Sequence, residues 1–274
     1  MSIQPPRYSA GPVRLRGRPG RLFAIFAHEV RERFGVAMVT LLVLGFLVLT
    51  IILVFDVELG TRPPITLAAF ADPYASVVWP LLVLLVVTAA GAPSVASDLG
   101  SRSITLYLSR PILLRDYLLA KSAGIGVWIA LVAIGPVAVG SVLLAALGVV
   151  SAELALSAIG VAVGLGLLAA VFFVGLALLL SSITSKSLYA GVAIFGTTLS
   201  LEIAAGAISG ATGNAQVRYL GPFTDLESVM GAAFQTGLPT PTVPAISAAG
   251  LVLVGVGLAA LAWMRLRRVE VIGE

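Results

Sequence analysis

Residues 97–124 read SDLGSRSITLYLSRPILLRDYLLAKSAG, the longest charged interval between apolar runs that keeps helix-like spacing. Asp98, Arg102, Arg110, Arg115, Asp116 and Lys121 supply its charge, and Leu106, Leu108, Ile112, Leu113, Tyr117 and Leu118 lie beside them as an apolar component. Pro111 suits the first turn of a helix, where a missing N–H costs nothing, and Ser109 just before it suits a cap. The pattern predicts a short helix ending near Ser109, a break, and a second helix from about Pro111. A polar helical elbow of this kind, set between membrane spans, is either a docking surface for another protein or a solvated connection.

The flanking sequence makes the membrane setting unavoidable. The chain is 59% hydrophobic and only 11% charged, against about 25% charged for a soluble domain. That excludes an ordinary soluble fold. Apolar runs at 36–55, 76–96, 123–149, 154–183, 188–208 and 245–263 each approach or exceed the roughly 20 residues that cross a hydrocarbon core. Their apolarity is continuous rather than alternating, which predicts helices and not barrel strands. The expected fold is therefore an all-α polytopic membrane protein with six transmembrane helices. Cysteine is absent, so disulfides and thiolate metal sites are excluded, and a single histidine argues against a His-based metal centre.

Lysine and arginine set the expected orientation. Arg7, Arg14, Arg16, Arg18, Arg21, Arg31 and Arg33 precede the first run, Lys186 lies before the fifth, and Arg265, Arg267 and Arg268 follow the last. The three alternate loops carry only Arg62 and Arg218. The positive-inside rule places both termini and the elbow in the cytoplasm of a plasma or inner membrane. It also assigns the net charge of +4 to topology rather than to nucleic acid.

Residues 1–20, rich in Pro, Gly and Arg, are expected to be mobile. Residues 21–35 read as an amphipathic helix. Leu22, Phe23, Phe26, Val30 and Phe34 share one face, with His28, Glu29, Glu32 and the arginines opposite. Glu29 and Arg33 form a favourable i,i+4 pair. Such a helix is expected on the cytoplasmic membrane surface, the alternative being an N-terminal extension of the first span. A six-span domain over 36–268 follows, with the elbow at 97–122, an external interval at 210–244 and a cytoplasmic tail at 269–274. Within the external interval FTDLESVMGAAF reads as a short helix capped by Thr224 or Asp225. Pro80, Pro93 and Pro136 are expected to kink spans, and Gly160-x-x-x-Gly164 permits a close helix crossing.

Glu202 is the acid inside a predicted span, about 22 Å along the helix from Ser187. An ionisable group at that depth faces the bundle or a wet cavity, so it lines a substrate path or pairs with another span, unless it reaches the outer headgroups. A nucleotide site is missing: Lys121 and Lys186 are each followed by serine, but neither is preceded by the glycines of a P-loop. Nucleophile and metalloprotease motifs are also missing, so the chain does not read as an enzyme.

The elbow segment LYLSRPILLRDYLLAK resembles the segment after the second span of ABC-2-type ABC transporter permeases, the membrane subunits of type V exporters. Asp98, Leu106, Leu108, Ser109, Arg110, Pro111, Ile112, Tyr117, Leu118, Leu119 and Lys121 carry the likeness. Leu113 and Leu114 depart from the usual Ser-Arg, and Ala120 replaces the usual Gly. An amphipathic helix before the first span and the short turn SSITSKSLYA at 181–190 are further points of similarity. The resemblance implies an exporter half in which two permeases, identical or paralogous, pair within membrane lipid. Two ABC ATPase subunits beneath would hold the ATP and Mg. It further implies that Asp98, Arg102, Arg110, Pro111, Ile112, Arg115, Asp116, Tyr117 and Lys121 couple to the ATPase, with Glu202 on the substrate path. Two other classes stay open: a non-transporting membrane anchor for an ABC ATPase, and an ATP-independent secondary transporter.

Overall fold

The structure, a computed structural model, describes residues 18–33, 35, 43–53, 65–103, 113–237 and 239–272. Helices account for the secondary structure of the described residues, and none of these residues is in a strand. In chain order they are α1 (Arg18–Arg33), α2 (Val43–Leu53), a 3-10 turn (Leu67–Ala71), α3 (Asp72–Ala75), α4 (Val78–Gly100), α5 (Leu114–Ala146), α6 (Ala152–Ile183), α7 (Ser187–Thr212), a second 3-10 turn (Ala215–Leu220), α8 (Pro222–Ala233) and α9 (Pro244–Ile272). Five of these, α4, α5, α6, α7 and α9, are long and apolar enough to cross a membrane. They fit a multi-pass membrane protein. The first expected span is described only over α2, and residues 36–42, 54 and 55 lie outside the described residues.

Local chemistry sets the helix limits. Pro19 occupies the first turn of α1, a position where its missing N–H is harmless. The helix therefore starts three residues before the expected boundary at Arg21. Pro80 likewise falls in the first turn of α4 and breaks no internal bond. The expected kink there is replaced by a favourable start, while Pro93 and Pro136 do lie inside α4 and α5. Gly148 adopts φ +72 and lets Val149 N donate to Leu144 O at 3.0 Å, closing the carboxyl end of α5. Ser151 then caps α6 by accepting from Leu154 N at 3.2 Å. Gly213, at φ +67, ends α7 in the same left-handed manner as Gly148.

α4, α5 and α6 form the centre. Val83, Val86, Val87, Ile129, Val132, Ala133 and Phe173 meet there with essentially no exposure. The flanking helices are different: 22% of the apolar window of α7, and of α9, is buried within the chain, against 61% for α4. In a membrane an apolar outer face needs no protein partner, because lipid tails are as apolar as leucine.

α6 and α9 cross with their backbones in contact. A Cβ on Gly175 would lie 2.1 Å from Gly255 O, and one on Gly255 would lie 2.6 Å from Val171 O. Glycine at both positions lets two backbones touch. Gly160 and Gly164, where the sequence permits a close crossing, have nothing within 4 Å of their missing Cβ atoms. The contact therefore forms about three to four turns further along the same helix.

The basic segments collect at one end of the bundle. Arg265 Nε donates to Ser182 O at 3.0 Å, bringing the end of α9 to the end of α6. The end of α4 meets the α6–α7 turn, where a Cβ on Gly100 would lie 2.6 Å from Ser185 O. α1 packs on α5 at this same end. The opposite end carries α3, α8 and the turn between α5 and α6.

Candidate functional site

Two polar sites stand out, one at each end. At the basic end the elbow begins where α4 finishes and resumes at α5. Residues 104–112, and with them Arg110, Pro111 and Ile112, lie outside the described residues. The second helix starts at Leu114 behind an extended Leu113, φ −75 and ψ 145. Tyr117 and Lys121 follow at i+3 and i+7 from Leu114, so they share a face with Gly124 and turn inward.

That inward face carries an ionic cluster. Lys121 Nζ lies 2.6 Å from Glu29 Oε2 on α1 and 3.0 Å from Asp98 Oδ2 on α4. Tyr117 Oη donates to Asp98 Oδ2 at 2.6 Å, and Ser103 Oγ donates to Asp98 Oδ1 at 3.1 Å. Lys121 also sits over the Tyr117 ring, 5.6 Å from its centroid. Glu29, Tyr117 and Lys121 are buried, at 1%, 0% and 3% exposure. Charges in such surroundings persist only when paired and hydrogen-bonded. Gly124 makes room for the arrangement, since a Cβ there would lie 2.7 Å from Glu29 Cγ.

The elbow residues thus divide by exposure. Asp116 is buried, with its carboxylate 3.8 Å from Arg115 Nε, whereas Arg102 and Arg115 are exposed. Arg102 holds φ +57 just beyond α4, a left-handed conformation that an arginine adopts at a cost. Lys121, Tyr117 and Asp98 bond within the chain and join three helices.

Glu29, expected on the face opposite the apolar residues of α1, is instead buried. The buried stripe runs through Ile25 and Glu29, and Phe23 is 64% exposed. The signal was spacing: Leu22, Ile25, Phe26 and Glu29 fall at i, i+3, i+4 and i+7.

At the opposite end Glu202 reaches from α7 to the start of α8. Its carboxylate accepts from Phe223 N at 3.0 Å, from Thr224 N at 3.1 Å and from Thr224 Oγ1. The first N–H groups of a helix lack internal partners and carry partial positive charge, so a carboxylate satisfies both needs. Gly221 allows the approach, because a Cβ there would lie 2.9 Å from Glu202 Oε1. The helix expected in this interval is present, but its cap is Glu202, rather than Thr224 or Asp225. Those two residues lie inside α8, after Pro222 has started it.

Asp225 instead anchors the return loop. Its Oδ1 accepts from Ser247 Oγ at 2.6 Å and from Thr242 Oγ1 at 3.3 Å, and Thr242 Oγ1 is 2.6 Å from Ser228 Oγ. Burial pushes the Asp225 carboxyl above its ordinary range, the hydrogen bonds from Ser247 and Thr242 oppose that, and the nearby Glu202 charge adds to the rise.

A cavity of about 380 Å³ opens between α3, α4, α6, α7 and α8, with Trp79, Leu84, Leu165, Leu199 and Phe223 on its walls and Glu202 and Glu227 at its polar side. Trp79 packs edge-on to Tyr74 and to Phe223, with centroids 5.2 and 6.2 Å apart. Tyr74 Oη donates to Ala133 O at 2.5 Å and ties this outer layer to α5. Compared with known proteins, the chain matches no family model and no curated sequence.

Proposed function

We propose that this chain is the membrane subunit of an ABC-2-type exporter, with six spans, cytoplasmic termini and a separate ATPase that docks on the elbow. The observation that carries this reading is the gathering of α1, the elbow ends, the α6–α7 turn and the arginines of α9 at one end of the bundle. That is where the positive-inside rule puts the cytoplasm. In this reading α2 belongs to the first span.

The cluster around Lys121 gives the proposal a physical handle. A push on the elbow meets α5 at a point fixed to α4 and to α1 by charge-assisted bonds. The load is therefore shared by three helices. Exposed Arg102 and Arg115 are the charges a partner meets, and Lys121, Tyr117 and Asp98 are positioning residues behind them.

The test is co-purification. Arg110→Glu with Arg115→Glu should weaken recovery of the ATPase partner or uncouple its hydrolysis from transport, while the subunit stays in the membrane. Unchanged recovery and unchanged coupling would remove the elbow as the contact.

A further inference from the structure

The cavity beside Glu202 is walled by Trp79, Leu81, Leu84, Leu165, Leu199 and Phe223, and its polar side holds Glu202 and Glu227. Among the described residues no lysine, arginine or histidine lines it. Arg218 lines an adjoining cavity that Glu227 also borders, and there its Nε donates to Ser209 Oγ at 3.1 Å rather than to a carboxylate. Glu227 is exposed and borders three cavities, of about 380, 410 and 490 Å³, with no ion pair among the described residues. Glu202 accepts from three protein donors, whereas an ionised carboxylate offers about four lone-pair sites. An apolar, aromatic wall that ends on two carboxylates, neither in an ion pair among the described residues, attracts one class of molecule. Dispersion and burial hold an apolar body, and the ring faces and carboxylates both favour positive charge. An anionic amphiphile would meet like charge, and a neutral one would gain only the walls.

We infer that this cavity is a binding site for a lipophilic cation, with the apolar body against Trp79, Leu84 and Phe223 and the cationic group at Glu227. The volume lies at the lower end of the roughly 300–1,000 Å³ of small-molecule pockets, which suits a compact cation rather than a polymer. The inference deepens the export reading by naming the cargo's chemistry, and rests on that reading only for the step of transport.

Binding is tested without any ATPase. The full chain is placed in nanodiscs of zwitterionic lipid, and retention of radiolabelled tetraphenylphosphonium is measured against empty nanodiscs. Retention should saturate, and dodecyltrimethylammonium should displace it while dodecyl sulfate does not. Glu227→Gln, a change at an exposed position, should weaken it about tenfold. Leu84→Trp, which fills the cavity, should abolish it. Equal retention by wild type and both variants, or equal displacement by the anion, overturns the site. Nanodiscs doped with a double-chain cationic lipid separate the sources: competition assigns the site to a lipid headgroup, and its absence to a soluble cation. Saturable binding here, together with no ATP-driven transport of the same cation by vesicles holding the chain and its co-purified ATPase, would defeat the export reading and leave this site standing.

Discussion

Lys121 Nζ stands 2.6 Å from Glu29 Oε2 with 4% of the lysine side chain and 2% of the glutamate side chain exposed. This pair joins an amphipathic helix at the start of the chain to a membrane-length helix, across 92 residues of sequence. Removing one partner of such a buried pair leaves an uncompensated charge, which costs about 3–5 kcal/mol. Lys121→Met should therefore lower stability by about that amount. The Glu29→Gln, Lys121→Met double variant should lose less than the sum of the single changes. Thermal unfolding in detergent, analysed as a double-mutant cycle, measures the difference, and strict additivity would dismiss the coupling. Tyr117→Phe, which removes the hydroxyl bonded to Asp98, should cost about 1.5–3 kcal/mol.

The α6–α9 crossing gives a paired prediction. Gly175→Ala places a methyl group where Gly255 O already sits, and the helices must separate. Overpacking of this kind costs about 1–3 kcal/mol, or more when backbone is the obstacle. Gly160→Ala and Gly164→Ala meet open space and should leave the melting temperature within error of wild type. A loss at Gly160 equal to that at Gly175 would assign the close contact to the wrong stretch.

Glu202 tests differently from a residue with only a transport role. As the cap of α8 it protects the Phe223 and Thr224 amides. Glu202→Ala should speed hydrogen exchange at those two amides and cost about 0.5–2 kcal/mol. Glu202→Gln keeps one acceptor oxygen and should show a smaller change. Unaltered exchange in both variants would detach Glu202 from α8.

Asp225 links the return loop to pH. Its carboxyl is raised above the ordinary 3.8, first by burial, so the folded loop binds this proton more tightly than the unfolded chain does. Stability then falls as pH rises from the ordinary value through the raised one, because the unfolded state releases its proton first. Wild type should lose stability across that window, and Asp225→Asn should flatten this part of the profile. Unfolding measured across the acid range decides it, and a wild-type gain there would reverse the sign.

Composition and periodicity determined the helical membrane architecture, since runs such as 154–183 have no other way to satisfy their backbone in lipid. They located α8 and the α6–α7 turn, and they put Glu202 in the half of α7 away from the basic elbow. What they left undecided was which charges meet between helices. Glu29, Asp98 and Lys121 are far apart in sequence and become neighbours only when α1, α4 and α5 pack. Glu202 meets α8 for the same reason, and the Gly175–Gly255 contact depends on where two helices cross rather than on a local motif. A helix's own pattern tells which residues share a face. Which neighbour that face meets is a property of tertiary packing, because pairing energy in a dry interior depends on distance and desolvation, and neither is written in the local sequence.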